Sequence, residues 1–183
     1  MASLEVFCRK TWRDSMIRVT RRPKPNVFDE RVRKPGKKYL KQNPHPSSAQ
    51  FKTHAYWTRI EQELRGAYGG ICAYMGNYVF PCTGNQNVEH FKPKSKYPHL
   101  SYDWNNYRFV CSRLNGGKGD YTDVVDPFTL TDGWFILEFS TLMVKPCPNL
   151  TPAQRKKVDA TISRLQLNDD ETQGFSKVNQ TDA

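Results

Sequence analysis

Asn87-Val88-Glu89-His90-Phe91-Lys92-Pro93-Lys94-Ser95, Tyr102-Asp103-Trp104-Asn105-Asn106-Tyr107-Arg108-Phe109-Val110-Cys111 and Asn115-Gly116-Gly117-Lys118-Gly119 fall within one stretch of 34 residues, 87 to 120. An acid stands beside an imidazole at Glu89 and His90, an amide follows at Asn106, and a second amide precedes a lysine at Asn115 and Lys118. A neutral imidazole can take a proton from an attacking water, and carboxylate and amide oxygens are hard donors that suit Mg²⁺ or Mn²⁺. These are the groups that hydrolysis of a phosphodiester needs. Asn115 follows Asn106 by nine positions, and the segment between reads as a short strand over 107–110 turning into glycine-rich sequence.

The order Glu-His, then Asn-hydrophobic-x-x-hydrophobic-Cys-x-x-x-Asn-x-x-Lys-Gly, resembles the HNH nuclease family in the variant where asparagine replaces the last histidine. Residues 88–95 and 102–106 resemble more narrowly the HNH proteins of bacterial anti-phage systems, of the Septu and retron-associated type. The resemblance extends over about 16–168 and is strongest over 71–128. It implies an α+β fold, a ββα-metal core clasping one divalent ion, flanked by helices at 48–67 and 152–167. It also implies an endonuclease that cuts DNA, with His90 as general base, Glu89 and Asn115 as ligands of Mg²⁺ or Mn²⁺, Asn106 fixing the loop that aims His90, and Lys118 neutralising phosphate charge. An ATPase partner and a bacterial cytoplasmic setting come with it. An RNA target uses the same chemistry. A non-catalytic nucleic-acid or partner-binding module and a structural adaptor are the readings from other classes.

Many members of that family hold a structural Zn²⁺ between two Cys-x-x-Cys pairs. Here the corresponding positions read Cys72-Ala-Tyr-Met75 and Cys111-Ser-Arg-Leu114, each retaining its first cysteine only. Two thiolates do not close a tetrahedral site, so no structural Zn²⁺ is expected, and a contact of Met75 with Leu114 is expected in its place. Cys82 would be the third ligand of any surviving zinc site.

Charge is concentrated ahead of this motif. Of a net +10, residues 1–41 carry 13 Lys and Arg against 4 Asp and Glu. With Pro23, Pro25 and Pro35 interspersed, this reads as a basic arm over 1–46, a contact for polyanions or a strap for a partner, whose removal should leave the core folded. Residues 1–15 precede the natural-looking opening at Met16 and receive no function. The nuclease domain is expected over 47–170 and a polar tail over 171–183. Lys92, Lys94 and Lys96, interleaved with Tyr97 and Tyr102, are candidate nucleic-acid contacts together with Arg108 and Arg113.

Around the motif, Ser47 or Ser48 caps a helix over 48–67 that Gly69-Gly70 ends. Strands are expected over 78–81, 88–90, 134–139 and 142–144, the last two supplying core. Thr151-Pro152-Ala153-Gln154 opens the final helix with a capping box. No apolar run approaches a membrane span, no export signal is evident, and five scattered cysteines do not suggest a disulfide framework; a soluble, intracellular protein is expected.

Overall fold

The computed structural model describes residues 19–80, 86–130, 133–138, 141 and 143–169. The chain is α+β and divides into two compact units, one running Arg18–Thr122 and the other formed, in its described part, from Asp123 onward.

In the first unit a π-helical turn, Asp29–Arg33, runs directly into helix α1, Lys34–Gln42. The described part of the stretch read as a basic arm, residues 19–46, therefore does not behave as one. Phe28 and Val32 are wholly buried and Tyr39 nearly so, while Arg31, Lys34, Lys37 and Lys38 between them face outward and Arg33 lies over the Phe28 ring. The Phe28 ring meets Trp104 and Tyr107 edge-on at 5.6 and 5.9 Å. Charge counting hid an apolar stripe sparse enough to be missed, yet sufficient to anchor the segment. Removing residues 1–41 would strip the core of these side chains, contrary to the expectation from sequence.

Gly36 on α1 shows how closely this segment is seated. A Cβ there would lie 2.1 Å from Cγ of Tyr102, and the ring cannot retreat because its hydroxyl donates to the His54 carbonyl at 2.9 Å. Gly36→Ala is expected to cost at least the ~1–3 kcal/mol typical of overpacking. Urea denaturation checks this, and an unchanged midpoint would mean that α1 is not fixed against Tyr102.

The helix expected over 48–67 is broken. Helix α2, Ser48–Thr53, begins on the capping box of Ser47 and Gln50, a 3₁₀ turn follows at Tyr56–Ile60, and helix α3 occupies Glu61–Ala67. The break at His54 and Ala55 is held from outside the helix: the His54 ring stacks on Tyr39 at 3.8 Å and its carbonyl accepts from Tyr102. Gly69 and Gly70, both with positive φ, end α3.

Strand β1, Gln86–His90, pairs antiparallel with strand β2, Tyr107–Cys111, with Gln86 opposite Cys111 and His90 opposite Tyr107. Four consecutive buried residues in β2 mark a strand covered on both faces. Helix α4, Ser112–Lys118, follows without a connecting loop and packs on both strands. The strand expected over 78–81 is reduced to a single bridge between Ile71 and Tyr78, and residues 81–85, Cys82 included, lie outside the described residues.

In the second unit β3, Phe135–Glu138, pairs antiparallel with β4, Met143–Pro146, and helix α5, Pro152–Arg164, packs on β4. Thr151 and Gln154 form the capping box with Pro152 in the first turn. The residues of β3 and β4 are half-buried, so the apolar load attributed to core belongs to a partly covered ribbon. Val158, Thr161 and Leu165 are the buried side chains of the helical segment, and Thr161 Oγ1 accepts from the Val125 amide. Among the described residues no helix is long and apolar enough to cross a membrane. The polar tail lies outside them.

Candidate active site

His90 ends β1 and is 5% exposed. Its Nε2 lies 2.9 Å from the Ser101 carbonyl, which can only accept, so Nε2 carries the ring proton and Nδ1 keeps the lone pair. The same carbonyl accepts from the Tyr107 hydroxyl at 2.7 Å. Trp57 and Tyr107 meet the imidazole edge-on at 4.7 and 5.0 Å and fix its plane. Burial, reinforced by the Lys94 ammonium and only partly opposed by the Ser101 carbonyl, holds the His90 pKa well below the ordinary histidine value. The ring is therefore neutral at neutral pH, with Nδ1 as its base.

The position of Ser101 depends on Asn106. The Asn106 Oδ1 accepts from the Lys92 amide at 2.7 Å, and its Nδ2 donates to the carbonyls of Lys92 and Leu100 at 3.0 and 3.2 Å. One buried amide thus closes the loop between β1 and β2 and places the carbonyl that orients His90.

Glu89, 2% exposed, forms an ion pair with Lys118, which has no exposure at all; Oε1 and Nζ are 2.7 Å apart. Lys118 also donates to the His90 carbonyl at 3.2 Å. Tyr74 reaches the second Glu89 oxygen at 3.4 Å, a long contact. Burial pushes the Glu89 pKa upward, with the Lys118 ammonium as the main opposing influence. Asn115, one turn before Lys118 on α4, is half-buried, and its side-chain amide has no hydrogen-bond partner among the described residues.

As donors, the Glu89 carboxylate and the open amide of Asn115 suit a Mg²⁺-type ion, which accepts few protein ligands and keeps several waters. They fit it on one condition, that Lys118 withdraw from Glu89 Oε1. Among the described residues no three His, Cys, Asp or Glu side chains gather as an all-protein cage.

The five cations assigned to nucleic acid separate into different environments. Arg108 is 1% exposed, donates to the carbonyls of Asn105 and Tyr107 at 2.9 Å each, and lies over the Phe91 ring. It is a structural cation shut away from solvent, which corrects its reading as a phosphate contact. Lys96 donates to the Asp120 carbonyl at 2.8 Å, and Lys92 lies over the rings of Phe91 and Tyr97. Lys94 packs over Trp57 at 4.9 Å, with its pKa lowered by burial, which places a cation against the base. Arg113 is half-buried on α4. Lys118 in turn has no path to a phosphate while it holds Glu89.

Cys72 and Cys111 lie together. A thiol hydrogen bond between them, with burial, pushes Cys72 well up; the same bond from Cys72, with backbone amides at the start of α4, brings Cys111 down to about 6. Leu114 is buried and Met75 half-buried. The pair is thus more polarised than two small apolar groups. Cys111 is expected to alkylate at a rate that levels off above about pH 7 because its thiolate already predominates, while Cys72 stays inert. A Cys111 rate still rising at pH 9 would show an ordinary thiol.

Trp57, Ser101 and Tyr107 were not foreseen as parts of the site. Trp57 fell within the helix expected over 48–67 and Tyr107 within an expected strand, and nothing in sequence marks a serine whose contribution is its carbonyl.

A two-stranded antiparallel ribbon running into a helix, with an acid, an oriented imidazole and two amides at its end, defines an α+β protein with a polar site suited to acid–base chemistry. No family model matches the chain. Over 40 residues it is 45% identical to the Septu protein PtuB of Bacillus thuringiensis, a stretch that makes up 22% of this chain and 16% of that protein. The likeness is local and links the chain to a Septu protein.

Proposed function

We propose that the chain is a metal-dependent nuclease of the HNH type that hydrolyses phosphodiester bonds in DNA, as the effector of a Septu-like bacterial anti-phage system. The observation that carries this reading is the state of His90: its proton is placed on Nε2 by Ser101, and its lone pair stands on Nδ1 in an imidazole kept neutral by burial. The succession β1, β2, α4 with Glu89, His90, Asn106, Asn115 and Lys118 supports a ββα-metal core. The local likeness to a Septu protein supports the defence setting.

In this mechanism Nδ1 of His90 takes a proton from a water as its oxygen attacks phosphorus, and the leaving oxygen departs with the electrons of the broken P–O bond. Trp57, Tyr107 and the Ser101 carbonyl hold the ring still meanwhile. Glu89 and Asn115 would hold Mg²⁺ or Mn²⁺, which supplies Lewis-acid stabilisation of charge on the phosphate and leaving oxygen. Lys118, released from Glu89, offsets phosphate charge. An ATPase partner in the bacterial cytoplasm belongs to the same proposal.

The closed Glu89–Lys118 pair favours a second reading, a nucleic-acid-binding module that does not cut. Incubation of the purified protein with DNA and RNA in Mg²⁺, Mn²⁺ or EDTA, with and without an ATPase of the proposed kind, separates the two. Cleavage that needs the divalent ion supports the nuclease, with the preferred substrate deciding DNA or RNA. Binding without cleavage in every mixture supports the second reading.

A further inference from the structure

Lys94 follows His90 in the loop that Asn106 closes, and its ammonium packs over the Trp57 ring at 4.9 Å. Trp57 in turn meets the His90 imidazole edge-on at 4.7 Å. The chain is tied on both sides of Lys94. The Pro93 carbonyl accepts from the amides of Lys96 and Tyr97 at 3.1 and 2.8 Å, and Ser95 and Lys96 reach Asp120 at 2.7 and 2.8 Å. A lysine ordinarily keeps its charged head in water. Here the side chain is half-buried, and burial lowers its pKa against the pull of Asp120 and Glu89.

Among the described residues the Lys94 ammonium makes no hydrogen bond and no ion pair. Both carboxylates that attract it are engaged, Asp120 Oδ2 by Ser95 and Glu89 Oε1 by Lys118, each at 2.7 Å. The N–H donors of one ammonium are thus held beside the base without a partner in the described structure. Their placement works against His90: after burial itself, Lys94 is the strongest influence holding the imidazole pKa down. A cation that weakens the base, and repels it once protonated, opposes the reaction unless it gains more elsewhere. Attack of water on a phosphodiester adds negative charge to the phosphoryl oxygens, and a fixed donor aimed at that growing charge supplies the gain. Lys92, over Phe91 and Tyr97, and Lys96, on the Asp120 carbonyl, do not act on the imidazole in this way.

We infer that Lys94 is a catalytic residue of the proposed nuclease: its ammonium donates to a non-bridging oxygen of the phosphate to be cleaved and stabilises the charge that gathers there as His90 takes the proton from water. This rests on the nuclease reading above. In that step the water proton passes to Nδ1 of His90 and the water oxygen forms the new bond to phosphorus. The electron pair of the broken P–O bond leaves with the departing oxygen. Lys94 keeps its own proton throughout. Lys118 contributes only after it leaves Glu89, whereas Lys94 needs no such release.

The test compares Lys94→Met, which keeps a flexible apolar chain against Trp57, with Lys94→Arg, which keeps the charge. Single-turnover cleavage of a labelled duplex is followed with protein in saturating excess, and binding of the same duplex by anisotropy across a salt series in a His90→Ala background. Lys94→Met is expected to cut ~10²–10³-fold more slowly, as for loss of one donor to a developing oxyanion, with its Kd little changed. Lys94→Arg should recover part of the rate. Phosphorothioate at the mapped cleavage position, in each of its two diastereomers, gives a readout that a structural role would not move. The diastereomer whose sulfur replaces the oxygen held by Lys94 should slow the parent more than it slows Lys94→Met. Equal sensitivity of parent and variant to both diastereomers overturns the contact. A Lys94→Met protein that cuts as fast as the parent overturns it as well and leaves the nuclease standing. Weaker binding, with a slope of log K against log salt shallower by ~0.9 and an unchanged saturated rate, would make Lys94 a backbone contact away from the reacting phosphate, again overturning it. So would a rate loss in Lys94→Met and Lys94→Gln that is matched by loss of folded protein in urea denaturation. A parent that cuts neither DNA nor RNA with any of the metals overturns the nuclease reading and this assignment with it.

Discussion

His90→Ala should slow strand cleavage by at least the ~10²–10⁴-fold typical of losing a general base, while folding and nucleic-acid binding survive. The expectation follows from what the imidazole contributes. Its Nε2–H makes one hydrogen bond to a carbonyl that Tyr107 also satisfies, so truncation does not orphan the Ser101 oxygen. The ring is also already neutral in the fold, so no buried charge is left behind. Loss of the base thus registers in catalysis far more than in stability. Single-turnover cleavage of a labelled duplex, beside anisotropy on the same duplex, makes the comparison. A variant that cuts at the wild-type rate sinks the assignment of the base.

Lys118→Met should have the largest effect on stability. Glu89 and Lys118 are 2% and 0% exposed, so in this closed arrangement a partner left alone is shut off from water. Breaking such a buried pair from one side costs on the order of 3–5 kcal/mol, because an uncompensated charge remains, whereas replacing both partners by groups of similar shape is often neutral. Glu89→Gln/Lys118→Met should therefore recover most of the loss, although it removes a proposed metal ligand. Urea denaturation of both variants checks this. If Lys118→Met unfolds within ~1 kcal/mol of wild type, well below the cost of a stranded buried charge, the carboxylate is not closed in as the structure has it.

The order of groups in the site was legible because strand, hairpin and helix follow one another without interruption from Glu89 to Lys118, so neighbours in sequence are neighbours in space. The reading of Asn106 as the residue that fixes the loop came with the family resemblance, and its three hydrogen bonds span only that loop. What the sequence conceals is whether a charge is inside or outside. Arg108 and Lys118 looked like cations available to phosphate, but each is enclosed, Arg108 by backbone carbonyls and Lys118 by Glu89. The N-terminal segment failed in the opposite sense, because its dense charge masked Phe28 and Val32, which reach the core from far along the chain. Long-range contacts of this kind also broke the helix at His54, where Tyr39 and Tyr102 outweigh local helical preference.

The clamp at Asn106 also bears on how this protein can vary. Because the loop is shut at its base between Lys92 and Asn106, its tip and the placement of His90 are separable matters. Lengthening the tip at the exposed Ser95 and Lys96 forfeits their bonds to Asp120, and beyond that adds only about 0.6 kcal/mol of closure entropy for each doubling of length. The same insertion between Leu100 and Asn106 would displace the Ser101 carbonyl and release the imidazole. Differences can therefore accumulate at residues 95–97 while the placement of the imidazole stays unchanged, whereas Lys94, packed on Trp57 beside His90, is not free to vary in the same way.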